Sequence, residues 1–348
     1  MDRYEVIEKL SSMHAVSGYE FAISDKIAEM FSVYCDEVTT DNLGNVTGVM
    51  RSKKTDAKSI MIEAHMDEIG LMITDIDDKG FLYFTNIGGI DSRILLAKEV
   101  VIHGDVKVEG IIGARPPHIT TAEERGKAIP IDKLCIDTGL DASDVRDAVN
   151  IGDTVTFADS FEPLGKKYIS AKSQDDRTGI AVLIFVMEKL KNYELPFDVY
   201  FCACVQEEVG RRGVAAAANA IDPVFAIAVD VCHASTPDAS TGTFKAGSGT
   251  VVSKGPNIHP LLVEHALKIM DENNISYNID VDADDTGTDA WAIQTARIGI
   301  PTMLFSLPLR YMHTMVETVH MDDVTATTNA IYSLIVNTDD AEAVVCWN

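Results

Sequence analysis

Two adjacent carboxylates, Glu207 and Glu208, follow the apolar segment of residues 199–205, and glycines break the pattern shortly after them. The segment is rich in β-prone residues and predicts a buried strand. Acidic side chains at the end of a buried strand are costly to desolvate unless a cation or a proton meets them. Such a pair can supply one metal ligand and one general base. Carboxylates also favour a solvated helix N-terminus, and the pair alone leaves both interpretations open.

A histidine and an aspartate stand two residues apart after a second apolar segment. Residues 58–64 predict a strand that leads directly into His65 and Asp67. Residues i and i+2 of an extended segment project to the same side, so both side chains can face one site. A carboxylate beside a ligating histidine commonly holds its free N–H and fixes the tautomer. A structural histidine in the core is the alternative that these two residues leave open.

A pair of aspartates precedes the most apolar helix that the sequence predicts. Asp175 and Asp176 come just before residues 180–190, an almost continuously apolar segment that predicts a buried helix. Capping and the helix dipole explain one aspartate at such a position. The second aspartate is then available as a carboxylate that bridges two metal ions.

Asp230 and His313 complete a set of polar residues near the ends of predicted strands. Asp230 follows a predicted strand of residues 224–229, and His313 comes after a predicted strand of residues 299–305. In open α/β sheets, ligands bind outside the carboxyl ends of the strands. Two histidines with several carboxylates form the ligand set of a hydrolytic two-metal site that accepts zinc, cobalt or manganese. The candidate residues at this edge are His65, Asp67, Asp175, Glu207, Glu208, Asp230 and His313.

The pattern of predicted secondary structure, which must position these residues, changes twice along the chain. Helical patterns and apolar strands alternate up to residue 67 and again from residue 166, which is typical of an α/β domain. Between them, short strands alternate with Gly, Asp and Asn turns, which predicts a small β-barrel or sandwich. We expect a catalytic domain of residues 1–67 and 166–348 with an inserted β domain of residues 68–165. The polar stretch 120–127 within the insertion is predicted to be mobile.

Composition limits the classes of partner and compartment. The chain has 348 residues with a net charge of -25, which argues against nucleic acid and anionic membrane surfaces as partners. No apolar run reaches transmembrane length and the N-terminal residues lack a signal peptide's apolar segment, so we expect a cytoplasmic protein. The six cysteines include no CxxC pair, which predicts neither a disulfide framework nor a thiolate zinc site.

Five motifs in this order resemble those of the tetrahedral dodecameric aminopeptidases, whose members have been labelled glutamyl aminopeptidase, deblocking aminopeptidase or endoglucanase M. They are His-Met-Asp-Glu-Ile-Gly from residue 65, Asp-Asp-Arg-Thr-Gly from 175, Glu-Glu-Val-Gly-Arg-Arg-Gly from 207, Asp-Val-Cys-His-Ala from 230 and Arg-Tyr-Met-His-Thr from 310. The resemblance runs nearly end to end and includes a Pro-Pro-His turn at residues 116–118. It implies an α/β, phosphorylase/hydrolase-like catalytic domain with a mixed central sheet, interrupted by a β-barrel or PDZ-like domain that pairs subunits.

The resemblance also implies a role for each candidate residue. It assigns two divalent ions to these ligands: His65 and Asp230 for one, Glu208 and His313 for the other, and Asp175 for both. Glu207 is then the general base, and Asp67 orients His65. The family often has Asp-Asn-Arg where this chain has Asp-Asp-Arg at residues 175–177. Residues 287–289 resemble a substrate-site segment of the family.

The implied activity is removal of N-terminal residues from peptides by metal-activated water, with zinc or cobalt favoured over manganese, in a dodecamer built from dimers. Two alternatives remain. A metal-independent endoglucanase needs carboxylates placed across a cleft, whereas Glu207 and Glu208 are adjacent. A catalytically inactive assembly protein of the same fold would not need the five metal ligands, all of which are present.

Overall fold

The structure, a computed structural model, describes residues 2–121, 126–239 and 241–347. Its strands are β1 (Glu37–Thr40), β2 (Val46–Met50), β3 (Ser59–His65), β4 (Gly70–Ile76), β5 (Leu82–Ile87), β6 (Lys98–His103), β7 (Lys107–Ile112), β8 (Ile136–Asp137), β9 (Thr154–Phe157), β10 (Glu162–Leu164), β11 (Tyr168–Ala171), β12 (Asp198–Cys204), β13 (Phe225–His233), β14 (Thr250–Lys254), β15 (Tyr277–Val281), β16 (Thr302–Arg310) and β17 (Glu317–His320). Its helices are α1 (Arg3–Ser11), α2 (Phe21–Ser32), α3 (Ala142–Ala148), α4 (Gln174–Leu190), α5 (Arg212–Ile221), α6 (Pro260–Glu272), α7 (Ala290–Ile293), α8 (Met321–Val336) and α9 (Ala341–Val345). The stretch 120–127, predicted to be mobile, lies partly outside the described residues.

Eleven of the described strands form one mixed sheet. Its order is β1-β2-β12-β3-β13-β16-β17-β11-β10, and β14 pairs with both β15 and β16. The central strands β12, β3, β13 and β16 run parallel to one another, so their carboxyl ends meet at one edge. β3 is buried from Ile60 to His65, as expected for a parallel strand whose two faces are both covered.

The helices cover this sheet and complete its core. α4 packs on β3 and contacts α1 and α8, while α5 packs on β12 and β3. Almost every residue of α4 is buried because the helix is apolar on all sides, which is typical of a helix enclosed by other elements. No helix in the described part of the chain combines the length and the hydropathy needed to cross a membrane.

Six strands between residues 70 and 157 close into a separate barrel. The order is β4-β5-β8-β7-β6-β9, and every neighbouring pair is antiparallel. β7 alternates strictly between exposed and buried residues, because one face lines the barrel and the other meets solvent. The barrel has its own apolar core, distinct from that of the sheet. The predicted α/β fold with a mixed sheet interrupted by a small β-barrel is confirmed, while the exact domain limits stay a prediction.

Three strands at the candidate site differ in extent from the sequence prediction. β16 spans Thr302–Arg310 instead of residues 299–305, so it ends three residues before His313. β13 continues to His233, so Asp230 lies within the strand instead of after it. The strand extends because β16 pairs with it through this whole segment, up to the pair formed by His233 and Leu309. β12 ends at Cys204, and a short turn separates it from Glu207.

Candidate active site

The residues selected from the sequence gather at the carboxyl edge of the four parallel strands. His65 ends β3, the Glu207–Glu208 pair follows β12, and Asp230 lies in β13. His313 comes three residues after β16, and Asp175 lies in the first turn of α4. Polar side chains from segments far apart in the sequence therefore lie close together, as the topology of parallel strands predicts.

Two groups of potential metal ligands share one aspartate. His65, Asp175 and Asp230 each offer a ligand atom within 4.8 Å of the others, and so do Asp175, Glu208 and His313. His65 Nε2 lies 3.1 Å from Asp175 Oδ1, whereas His313 Nε2 lies 3.4 Å from Asp175 Oδ2. His313 Nε2 also lies 3.2 Å from Glu208 Oε1. Imidazole nitrogens and carboxylate oxygens in this arrangement fit divalent zinc, cobalt or manganese.

The electrostatic potential at these groups is strongly negative. Burial raises the pKa of Glu207 to about 10 and that of Asp230 to about 8, since neighbouring carboxylates add to the cost of ionisation. Burial alone would lower the pKa of His313, but its hydrogen bonds to Asp175 and Glu208 raise it to about 11. Carboxylates that resist ionisation beside histidines that attract protons indicate a place where a divalent cation is favoured.

Asp67 has more partners than a residue that only orients a histidine. Its Oδ1 lies 3.4 Å from His65 Nδ1 and accepts a hydrogen bond from the backbone N–H of Glu207 at 3.0 Å. Its Oδ2 accepts the backbone N–H of Glu208 at 3.1 Å and the hydroxyl of Ser17 at 2.5 Å. Asp67 is completely buried, so these bonds compensate its desolvation and also fix the backbone of the Glu207–Glu208 pair.

Glu317 is a site residue that the sequence reasoning missed. Its carboxylate is buried and accepts the backbone N–H of Asp175 at 3.0 Å and that of His313 at 2.7 Å. One side chain therefore holds the backbone of two candidate ligands that lie far apart in the sequence. The only signal in the sequence is an acidic residue inside a short β-prone segment, which is not specific.

A buried network of charges fixes the chain on either side of the candidate ligands. Glu68 accepts hydrogen bonds from Lys172 Nζ at 2.7 Å and from Ser173 Oγ at 2.5 Å. Arg177 is completely buried and donates to the carbonyl oxygens of Met66 at 2.5 Å and of Leu10 at 2.8 Å. Because buried charges need partners, this network ties the segment after β3 to the start of α4.

The barrel reaches the same site through His313. The Nδ1–H of His313 can donate to the carbonyl oxygen of Gly89 at 2.8 Å, which leaves Nε2 free to bind a metal. Two residues later, Met315 packs into the apolar core of the barrel. The carbonyl oxygen of Met315 also accepts a hydrogen bond from Ser160 Oγ at 2.6 Å. The barrel therefore holds the segment that carries the outermost candidate ligand.

The fold and this edge define a class of α/β proteins whose mixed sheet presents histidines and carboxylates suited to metal ions. The family model of the M42 glutamyl aminopeptidases matches residues 44–329, and the chain belongs to this family. It is therefore a peptide hydrolase, and members of its family are metalloenzymes. The expected relation to the tetrahedral aminopeptidases is confirmed by the relatives below.

Relatives match nearly the whole chain. The lysyl aminopeptidase of Pyrococcus furiosus is 34% identical over 338 residues, which cover 95% of this chain and 96% of the relative. The TET aminopeptidase from the marine sediment archaeon Thaumarchaeota archaeon SCGC AB-539-E09 is 29% identical with a TM-score of 0.92, over 98% of each chain. The Pyrococcus horikoshii TET1 peptidase, which can assemble into a tetrahedron or a large octahedral shell, is 31% identical with a TM-score of 0.86, over 97% of this chain and 100% of that chain.

Proposed function

We propose that this chain is a dinuclear-metal aminopeptidase that removes N-terminal residues from peptides. The observation that carries this proposal is the position of Asp175, whose two oxygens face different histidines and belong to both ligand groups. A carboxylate shared by two such groups is the arrangement that two-metal hydrolases use to hold paired ions. Membership of an aminopeptidase family supports the choice of substrate class.

Each candidate residue has a role in this proposal. The metal ligands are His65 and Asp230 for one ion, Glu208 and His313 for the other, and Asp175 for both. Zinc or cobalt ions, and less readily manganese, would supply Lewis-acid polarisation of the scissile carbonyl and would lower the pKa of a nearby water. Asp67 orients His65 and holds the backbone of the pair that follows β12.

Glu207 is the proposed general base. Within the described residues it belongs to neither ligand group, and its Oε1 lies 3.6 Å from Arg211 Nε. Its raised pKa means that Glu207 ionises at neutral pH only where positive charge offsets its acidic neighbours. Once ionised, Glu207 accepts the proton of the attacking water and then returns it to the leaving amine.

The division of labour between Glu207 and Glu208 is tested by two conservative variants. Glu207→Gln keeps the shape but cannot accept the proton, so the rate should fall by roughly 100- to 10,000-fold while both metals stay bound. Glu208→Gln weakens one metal site, so excess metal should restore part of the activity. Metal analysis of both proteins checks this assignment. The roles are reversed if Glu207→Gln loses a metal and Glu208→Gln keeps both.

An aminopeptidase must recognise a free α-amine at the end of its substrate. The buried carboxylates around the proposed metal centre provide the negative charge that an ammonium group needs. Acetylation of a peptide's N-terminus should therefore abolish most of its cleavage, as measured by the release of the first residue. Equal rates on acetylated and free peptides would instead indicate a deblocking or endopeptidase activity.

Removal of metal separates this proposal from the two alternatives. A metal-independent endoglucanase would keep its activity in a chelator, since a pair of carboxylates suffices for glycoside hydrolysis. A catalytically inactive assembly protein would show no activity after any metal is added back. The aminopeptidase should lose its activity in the chelator and recover it when zinc, cobalt or manganese is returned, measured on a panel of chromogenic aminoacyl amides.

We also propose that the chain associates through its barrel into dimers and then into a dodecamer. The support is the similarity to the Pyrococcus horikoshii TET1 peptidase, which forms a tetrahedron or an octahedral shell. Light scattering of the intact protein should give the mass of about twelve chains. A monomer at micromolar concentration would contradict the proposal. The cytoplasmic location stays a prediction, which cell fractionation would test.

A further inference from the structure

A third group of potential ligands lies outside the proposed dinuclear centre. Glu63, Cys204 and Asp289 each place one ligand atom within 4.8 Å of the other two, the same spacing as in the two groups already described. Glu63 lies in β3, Cys204 ends β12, and Asp289 immediately precedes α7. The three side chains are 1%, 0% and 2% exposed, so the group is closed to bulk solvent.

The two carboxylates of this group lack the partners that buried carboxylates need. No donor reaches either oxygen of Glu63 or either oxygen of Asp289, and the two carboxyl groups lie against each other. The nearby guanidinium of Arg211 pairs instead with Asp285, at 2.8 Å. A buried carboxylate without a partner is destabilising, and two that face each other are worse. Something positive, either a metal ion or a proton, must therefore lie between them.

The third member of the group distinguishes these two possibilities. A proton shared by Glu63 and Asp289 would leave Cys204 as an apolar residue of the core, whereas a thiolate with two carboxylates supplies donors that zinc accepts. Hard cations such as magnesium and calcium prefer oxygen ligands alone, so the sulfur argues against them. We infer that Glu63, Cys204 and Asp289 bind a zinc ion that is separate from the two proposed catalytic ions.

The register of the sheet places this site directly beside the catalytic centre. Glu63 and His65 are two residues apart in β3 and face the same side, and Cys204 lies opposite His65 in the parallel pair of β12 and β3. The buried charge of Asp176 also acts on Glu63, which adds to the negative charge that a cation here would offset. Glu63, Cys204 and Asp289 supply three of the four ligands of a tetrahedral zinc ion.

The consequence for the molecule is a fixed connection between α7 and the sheet. Asp289 follows the segment of residues 286–288, in which the hydroxyl groups of Thr286 and Thr288 lie 3.0 Å apart. An ion bound by Asp289 and by two strands holds this segment beside the catalytic edge. Because the ion binds only the folded chain, its removal should also lower the unfolding temperature.

Cobalt substitution tests this inference through a signal that the dinuclear centre cannot produce. Cobalt bound to a thiolate gives a sulfur-to-metal charge-transfer band in the near ultraviolet, whereas imidazole and carboxylate ligands give none. The full-length protein is stripped of metal, loaded with cobalt and passed through a desalting column. We expect the band together with three cobalt ions per chain. Two ions and no band would overturn the inference and favour the shared proton.

Single-residue variants identify which side chains produce the charge-transfer band. Cys204→Ser should lose the band and one cobalt ion, while Cys202→Ser should keep both, because Cys202 is buried in the same strand but contacts Thr47 at 3.6 Å instead. Glu63→Gln should likewise lose one ion, which keeps the test valid if a cysteine variant fails to fold. A band that persists in Cys204→Ser would overturn the assignment. A band with only one bound ion would support this site and contradict the dinuclear proposal.

Discussion

The carboxyl edge of the mixed sheet and the interior of the barrel differ in the polar side chains that they bury. In the described part of residues 70–157, the buried polar side chains are those of Thr154 and Thr156. The sheet edge buries charged groups such as His65, Asp67 and Asp175. Parallel strands all end at the same edge, so their terminal side chains converge there. Successive antiparallel strands end at opposite rims, and the closed interior of a small barrel is filled by apolar side chains.

The two regions meet at His313, and this contact shows that the barrel also contributes to the site. The carbonyl oxygen of Gly89 faces His313 Nδ1, while Met315 is packed in the barrel core. The remaining ligands are held by the sheet and its helices. We therefore expect changes at the sheet edge to affect both proposed metal sites, and changes in the barrel to affect only the site that includes His313.

The largest effect should come from Asp175→Asn at the sheet edge. The substitution removes the carboxylate shared by both ligand groups, so both metals should bind weakly and the rate should fall on the order of a thousandfold or more. Metal analysis and peptide hydrolysis measure the two effects. Asp78→Asn, an exposed change in a barrel turn, is the matched control. Retention of both metals by Asp175→Asn would contradict the shared-ligand arrangement.

A smaller effect is expected for Glu317→Gln. The amide keeps one acceptor oxygen, but its NH2 group faces an N–H donor, so the backbone of Asp175 or His313 loses its anchor. Loss of such a supporting bond typically weakens metal binding by about 10- to 100-fold, which metal titration would measure. Asp323→Asn is the control, because Asp323 is a buried carboxylate that also accepts two backbone N–H groups, those of Gly247 and Gly249. Equal loss of metal from both variants would indicate general destabilisation.

Gly89→Ala tests the contribution of the barrel. An added Cβ would lie 3.0 Å from His313 Nδ1, so the imidazole must shift, and the affinity for one metal should fall by about tenfold. The other metal should be unaffected. Gly113→Ala is a suitable control, since a Cβ at this barrel glycine would meet no atom within 4 Å. Loss of both metals from Gly89→Ala would contradict the division between the two regions.

The smallest effect concerns the junction at Thr156, one of the two buried hydroxyl groups of the barrel. Its Oγ1 is hydrogen-bonded to His14 Nδ1 at 2.7 Å and to His103 Nε2 at 2.8 Å. Burial lowers the pKa of His14 from 6.5 to about 4. Below pH 6.5 the unfolded chain takes up a proton that the folded chain does not, so the free energy of unfolding should fall as the pH drops from 6.5 towards 4.

His14→Asn should reduce this dependence on pH. Urea denaturation at about pH 7 and about pH 5 measures the free energy of unfolding in each protein. His118→Asn, a change at an exposed histidine, is the control and should behave as the unmodified chain does. If the free energy of unfolding of His14→Asn fell as much between the two pH values as that of the unmodified chain, His14 would not be the cause of the pH dependence.

The sequence alone determined the architecture and the candidate ligands. Continuous apolar runs predicted buried strands, short alternating strands predicted the barrel, and polar residues at the strand ends predicted a site at one edge. These features are encoded locally, because a strand's burial depends on its own side chains. The rule that ligands gather at the carboxyl ends then brings His65, Glu208 and His313 together without knowledge of any individual contact.

Only the tertiary structure decided which buried atoms meet. The bond from Glu317 to Asp175 joins residues 142 positions apart, and the one from His313 to Gly89 joins residues 224 positions apart. The sequence favoured no thiolate zinc site because no cysteines are paired, yet the fold places Cys204 beside Glu63 and Asp289. Such contacts depend on the register between strands and on the packing of the barrel against the sheet. Neither is encoded in a local pattern, because a shift of one residue in a strand sends every side chain to the opposite face.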